Sequence, residues 1–488
     1  MIALSRRFGR IAVAFAIALT VDACSGGGAP NSPAPAALPT AANRSQTAAT
    51  TCATAKTAQA CVQHVVVVLL ENRSFDNMFH FYDHNKANIA DFGYDHATKV
   101  TLGARSFSET SDVDHSHYPG FVKEYDNGLN DGWGDVSTDR VKGRLYPYGY
   151  VPKSEIQPYL DMANQFAISD NFFHGVQAPT YPSHLEIGAG TSFGVYDNPS
   201  VGIPWGCDAA AGTTTGTLNA DGVTTSQTGP FPCFSGLSLF DLLDRKNVTW
   251  RYYSEPEGQS ISGNLVIPAS FRSQRYGIDW TSKIATTDTE IDTAITAGTL
   301  PQVSFVIPDS SSTDHAGTPS QGPMYVENLE NLIGQSATYY DNTLVIVTWD
   351  DWGGWYDHVV PPTVTGTPLS YRKPIIFMNP YVKYYDAAKK TTGYVSHVQT
   401  EDASIAKTLE TLFGLDSLGT HDVRAADFMD VFDFTQTPHP YVPITSVETT
   451  MPTSANPNFV IRPAAVLGRH DGKPYDVNAY YKAKAVDY

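Results

Sequence analysis

The sequence predicts an α/β fold built around a parallel sheet, and three observations carry that expectation. Four short apolar runs, residues 64–70, 303–307, 344–349 and 374–378, each stop abruptly in polar or turn-forming residues, as strands buried on both faces of a parallel sheet do. Amphipathic stretches at 238–246, 325–333 and 402–413 lie between and after these runs with the spacing of helices. The chain has 488 residues, 42% of them hydrophobic and 17% charged, enough to bury a large core.

Taken from its start, the chain opens with Arg6, Arg7 and Arg10 ahead of an apolar stretch at 11–21 that is too short to span a bilayer. Residues 1–23 therefore read as an export signal. Ala23 before Cys24 resembles a bacterial lipoprotein cleavage site, which would put a lipid anchor on Cys24; ordinary signal-peptide cleavage close by is the alternative. Residues 24–51 are rich in Gly, Pro, Ala, Ser and Thr and read as a disordered tether. One catalytic domain is expected over 52–488. Of five cysteines, setting Cys24 aside leaves Cys52, Cys61, Cys207 and Cys233, most economically paired as two local disulfides in an oxidising compartment, each for about 2–4 kcal/mol. Neither spacing suits zinc. The net charge of -18 and the lack of a basic run in the mature region exclude a nucleic-acid surface.

The strand ends carry the chemistry. The first run ends in Glu71 and Asn72, the second in Pro308 and Asp309, the third in Asp350 and Asp351, the fourth in Asn379 and Pro380. Open α/β sheets bind ligands at the carboxyl ends of their strands, so Glu71, Asn72, Asp350 and Asp351 are expected to converge. Such hard carboxylate and amide oxygens suit a divalent cation; a loop-capping or paired acid and base role for the two aspartates is the alternative. After Asp351 come Gly353 and Gly354, which permit a tight turn, then Asp357, read as orienting His358.

In QAPTYPSHLEI, residues 177–187, Pro182 is suited to open a helix whose amides face Thr180, a nucleophile candidate. Ser183 competes for that role, but with Glu186 it spells a capping box. His115, His117, His315 and His358 all lie in polar loops, where protonated imidazole serves a phosphoryl group as donor and as acid. Segments 79–152 and 202–232 read as loops or a cap over the site. The 27 Tyr are expected mainly in core and surface rather than lining a cleft.

ENRSFDNMF (71–79), DNGLNDGW (126–133), QFAISDNFFHGVQAPTYPSHL (165–185), FDLLDRKNVTWRYY (240–253) and TWDDWGGWYDHVVPP (348–362) together resemble the bacterial phosphoesterase family. That family holds the phosphatidylcholine-preferring phospholipases C, the plant non-specific phospholipases C and the AcpA-type acid phosphatases, and the resemblance runs in order from His64 to Phe434. It implies an alkaline-phosphatase-like sandwich, a mostly parallel central sheet between helices with loop-rich cap insertions. It also implies hydrolysis through a phospho-enzyme. In that scheme Glu71, Asn72, Asp350 and Asp351 hold the metal, Thr180 is the nucleophile, and His315 and His358 supply acid chemistry. His115, His117 and His184 fall on the substrate side, with the choice between the first two open. Ser183 and His184 stand where the phospholipases commonly have Asn-Arg, a departure that bears on headgroup specificity and not on hydrolysis.

The expected protein is an exported, metal-dependent phosphoric ester hydrolase, periplasmic, membrane-anchored or secreted. It would work through phosphothreonine as an acid phosphatase on small phosphate esters. Phospholipase C action on phospholipids is the alternative: the large bacterial phospholipases carry extra C-terminal domains, whereas a loop-rich tail follows Phe434 here. A glycosidase, which needs carboxylates facing across a cleft, and a non-catalytic surface lipoprotein are the remaining readings.

Overall fold

A computed structural model describes residues 52–445 apart from 110, 139–142 and 317–319. These residues belong to one compact unit, Ala41–Tyr488, and among them no helix is long and apolar enough to cross a membrane. The expected export signal, Cys24 and the tether lie outside the described residues.

Seven strands form the central sheet: β1 (His64–Leu70), β2 (Ala167–Ser169), β3 (Trp250–Tyr253), β4 (Val303–Val306), β5 (Thr343–Trp349), β6 (Ile375–Met378) and β7 (Tyr394–Ser396), in the spatial order β3-β4-β1-β5-β6-β2-β7. The strands β3, β4, β1 and β5 run parallel. All the residues of β4, β5 and β6 are buried, which is why their sequences run apolar without alternation. One expectation fails: β6, read as a fourth parallel strand, is antiparallel to both of its neighbours. An apolar run carries no signal of direction. The reversal sends Asn379 to the far end of the sheet, where its amide donates to the Thr343 carbonyl at the start of β5 (3.0 Å). It also brings Arg372 and Lys373, just ahead of β6, to the end where β1 and β5 finish.

A short helix, α1 (Phe75–Phe79), follows β1, and longer helices cover both faces of the sheet. Val67 pairs with Phe305 and Ile346, and Ile346 with Phe377, so these side chains share a face. On it lie Phe240 of α4 (Leu239–Arg245) against Phe305, and Phe428 against Phe377. Trp349, three residues beyond Ile346 along β5, points the other way and meets Tyr159 of α2 (Gln157–Gln165). With α5 (Gly322–Gly334) packed on α2, and α6 (Ala403–Phe413) and α4 packed on α3 (Thr180–Ala189), the result is an α/β sandwich.

The helix that carries Thr180 departs from expectation. It opens at Thr180, not at Pro182, so Ser183 is inside it and forms no capping box. Ser183 Oγ instead donates to the Asp350 carbonyl, and Glu186 accepts from Ser192 N–H and from His421. Among the described residues, segments 79–152 and 202–232 carry short strand pairs, turns and brief helical stretches such as His117–Phe121 and Val122–Tyr125.

Both expected disulfides form, Cys52 with Cys61 and Cys207 with Cys233. The first closes a short loop that packs on Tyr381. Replacing Cys52 and Cys61 by Ser together is expected to cost about 2.5 kcal/mol from the loop-closure entropy returned to the unfolded chain, read as a lower denaturant midpoint. An unchanged midpoint would mean that this loop contributes nothing.

Candidate active site

Where β1 and β5 end, two loops are pressed together backbone to backbone. Asn72 has a positive φ of 61°, and Gly353, at φ 63°, lies so close that a Cβ there would come within 2.3 Å of the Asn72 carbonyl. Only glycine fits at 353, and the strained Asn72 marks a position held by its surroundings. Asp350 Oδ1 accepts from Asn72 N–H (2.9 Å) and Asp351 N–H (2.7 Å), while Asp351 Oδ1 accepts from Gly353 N–H (2.7 Å).

The Asn72 side chain reaches across to both aspartates. One end of the Asn72 carboxamide lies 3.2–3.3 Å from oxygens of Asp350 and Asp351; the other lies 3.0 Å from His315 Nε2 and 3.4 Å from His115 Nε2. Thr180 Oγ1 is 3.5 Å from Asp351 Oδ2. Glu71, Asn72, Asp350 and Asp351 are all buried, and Glu71 Oε1 and Asp350 Oδ2 have no hydrogen-bond donor. Burial, reinforced by the charges on Asp350 and Asp351, pushes the Glu71 carboxyl well up. Burial and the neighbouring Asp351 raise Asp350 to about 7, and burial raises Asp351 to about 8. Three buried carboxyls, two of them with an undonated oxygen, an amide and a hydroxyl form a hard-oxygen donor set that fits a divalent cation, whose charge would reverse those shifts.

Part of the negative charge is met by a residue that sequence reasoning missed. Lys373 Nζ donates to the Asp350 carbonyl (2.6 Å) and to Asp402 Oδ1 (2.5 Å), with both side chains fully buried. Asp402 Oδ2 in turn accepts from Gly175 N–H (2.8 Å). Two buried imidazoles flank this pair: His184 Nε2 at 3.8 Å from Asp350 Oδ2, and His174 Nε2 at 3.7 Å from Asp402 Oδ2. Burial, with Lys373 adding to it, pulls His184 down to about 3 and His174 well below its ordinary value. Both are therefore neutral.

The histidines separate into groups. His115 donates from Nδ1 to the Val113 carbonyl (2.7 Å) and His315 from Nδ1 to the Ala316 carbonyl (2.5 Å), which turns each Nε2 toward Asn72. His117 donates to the Gln177 carbonyl (2.7 Å), bracing the loop that leads to Thr180. His358 belongs to a different network. Its Nδ1 donates to Asp76 Oδ2 (2.6 Å) and its Nε2 to Asn88 Oδ1 (3.0 Å), so both ring nitrogens are engaged. Asp357, expected to orient His358, instead accepts from Arg372 Nε (2.9 Å), while Arg372 Nη2 spans Asp357 and Asp76. Asp76 does the orienting. Its signal was in view, inside ENRSFD; Arg372 and Lys373 were hidden by the wrong strand direction.

The chain is similar to known proteins along most of its length. A model of the Phosphoesterase family matches residues 62–416. The chain is 26% identical over 447 residues to the hemolytic phospholipase C of Pseudomonas aeruginosa, covering 76% of this chain and 56% of that protein, so it spans about half of that relative's length. It is 23% identical over 440 residues to the non-specific phospholipase C6 of Arabidopsis thaliana, covering 80% of this chain and 76% of that one. A crystal structure of a protein in the alkaline phosphatase superfamily from Vibrio parahaemolyticus superposes with a TM-score of 0.32 at 12% identity, over 76% of this chain and 72% of that chain. A likeness that slight carries no weight here.

Two outcomes follow from the buried charges alone. Lys373→Met leaves Asp402 buried without its cation and is expected to cost about 3–5 kcal/mol in chemical denaturation; a cost below about 1 kcal/mol would remove Lys373 from the role. The second concerns pH. Burial lowers His358, but the bond to Asp76 and the charges of Asp76 and Asp357 leave its pKa raised; burial raises Asp76, but His358 and Arg372 leave it lowered. The pair therefore stabilises most between about pH 4 and 6.5, and its contribution is lost as His358 deprotonates above that range or Asp76 protonates below it. Thermal unfolding of wild type and His358→Gln should differ most near pH 5–6 and converge by about pH 9. A gap that stays constant with pH would contradict a charged pair.

Proposed function

The chain belongs to the Phosphoesterase family, whose members hydrolyse phosphoric esters, and we propose that it does so through a phosphothreonine on Thr180 beside a divalent cation held by Glu71, Asn72, Asp350 and Asp351. The observation that carries this reading is the contact of Thr180 Oγ1 with Asp351 Oδ2 at 3.5 Å, in the first turn of α3. A bound cation would supply positive charge to the phosphoryl oxygens and favour the ionised Thr180 hydroxyl.

The chain's own residues do the rest. Asp351 accepts the Thr180 hydrogen bond, orients Oγ1 and takes its proton for in-line attack, which forms the Oγ1–P bond and breaks the bond from phosphorus to the leaving oxygen; the proton returns to Oγ1 when water displaces Thr180. His315, with Nε2 on the far end of the Asn72 carboxamide from the aspartates, protonates the leaving alcohol and then takes a proton from the water that releases Thr180. His115 contacts the phosphoryl group beside it. His358, with both nitrogens engaged, serves by holding the Asp76–Arg372–Asp357 network in place.

Phosphomonoester hydrolysis by an exported acid phosphatase is the first reading, because Thr180 is only 6% exposed, an enclosure suited to a small soluble ester. Phospholipase C action is the second, favoured by the phospholipase C names of the relatives. Export, and a lipid anchor at Cys24, belong to the same proposal and rest on the N-terminal sequence.

Thr180→Ala should lose on the order of 10³-fold or more in kcat and form no covalent phospho-enzyme, and chelation should silence the wild type until a divalent ion is returned. Turnover of Thr180→Ala at the wild-type rate would remove Thr180 as nucleophile. Comparing an aryl phosphate with phosphatidylcholine in micelles separates the two substrate classes.

A further inference from the structure

The residue directly after Thr180 is fixed at both of its ends by a part of the chain that the chemistry above does not use. Pro179, at the N-cap of α3, has no side-chain oxygen to cap the helix, and the first N–H groups of a helix have no partner inside it. Asn198 fills the gap, its Oδ1 accepting from Tyr181 N–H at 2.9 Å. At the other end, the buried Tyr181 ring sends its hydroxyl to the Pro232 carbonyl (3.0 Å), with Ser270 Oγ also at 3.0 Å. The ring lies edge-on to Trp205, with centroids 5.5 Å apart.

These contacts share an origin. Pro232 directly precedes Cys233 and Trp205 lies two residues before Cys207, so the two flanks of the Cys207–Cys233 disulfide grip one ring. Within the loop that this disulfide closes, Gln227 Nε2 donates to Asp197 Oδ2 (3.1 Å) and to the Asn198 carbonyl (3.3 Å). The stapled loop thus holds the capping Asn198 as well as the ring.

We propose that Tyr181 is a positioning residue, clamped by the Cys207–Cys233 loop so that Thr180 Oγ1 stays against Asp351. The proposal rests on the reading of Thr180 as nucleophile. Thr180 and Tyr181 share a peptide bond, so a backbone shift at Tyr181, which its held N–H and anchored ring resist, moves the Thr180 hydroxyl as well, and a misplacement of about 1 Å in a reacting group costs roughly 10²-fold in rate. The clamp makes an oxidised Cys207–Cys233 pair a condition of full activity, whereas the distant Cys52–Cys61 pair serves stability alone.

The test combines single-turnover phosphorylation by an aryl phosphate with bound-metal content and hydrogen exchange of the segment around Thr180. Tyr181→Phe keeps the ring and removes its hydroxyl; it is expected to slow phosphorylation about 10-fold at unchanged metal content, with faster exchange around 178–185. Cys207→Ser with Cys233→Ser should slow it as much or more, and adding Tyr181→Phe to that pair should slow it little further, because both act through one contact. Cys52→Ser with Cys61→Ser should leave the rate unchanged. Folded variants that phosphorylate at the wild-type rate, whatever their melting temperature, would overturn the clamp. A wild type that forms no phosphothreonine would sink the nucleophile reading instead. In that case exchange still decides the clamp: loosening on Tyr181→Phe supports it and unchanged protection overturns it.

Discussion

Everything at the carboxyl end of the sheet answers to one constraint, the burial of Glu71, Asp350 and Asp351 where their charges act on one another. Each carboxyl taken from water costs several kcal/mol unless charge or donors replace its hydration. The chain answers with N–H donors from Asn72, Asp351 and Gly353, and with Lys373 on the Asp350 carbonyl. It leaves Glu71 Oε1 and Asp350 Oδ2 without donors. That deficit supports the cation site proposed for the cluster, whose Asp351 lies against the hydroxyl of Thr180.

The topology follows from the same need. Parallel strands deliver acidic ends to one edge, but a sheet made only of parallel strands would carry the residues ahead of each strand to the opposite edge. Reversing β6 places Arg372 and Lys373 where the acids are. The two cations then divide the work. Lys373 ties Asp350 to Asp402, and Arg372 ties Asp357 to Asp76 and so holds the loop that follows the aspartate pair. The disulfide-closed loop approaches from the other side, on Tyr181. The Thr180 hydroxyl, the proposed nucleophile, thus lies between a charge-tied loop and a stapled one.

Much of this was legible in the sequence, for physical reasons that also explain what was not. The strands β1 and β5 stood out because burial on both faces demands continuous apolar residues, and their polar ends met as the open-sheet rule requires. The two disulfides followed from counting. Strand direction was illegible because the run at 375–378 reads alike in both senses, and with it went Lys373 and Arg372. Ser183 and Glu186 spell a capping box, yet the helix begins three residues before Ser183, and Asp350, Ser192 and His421 claim both side chains. The pairing of Asp76 with Arg372, 296 residues apart, leaves no local pattern, and Asp357, adjacent to His358, looked the better partner for want of that distant contact.

The central claim is that the acidic cluster at the ends of β1 and β5 is the cation site beside the reacting threonine. The most direct measurement is anomalous diffraction from crystals of the protein grown with manganese. A peak is expected within about 2.0–2.6 Å of oxygens from Glu71, Asn72, Asp350 and Asp351 and next to Thr180 Oγ1. A peak among Asp76, Asp357 and His358 instead, or none at the β1–β5 edge in protein that turns over phosphoric esters, would contradict it.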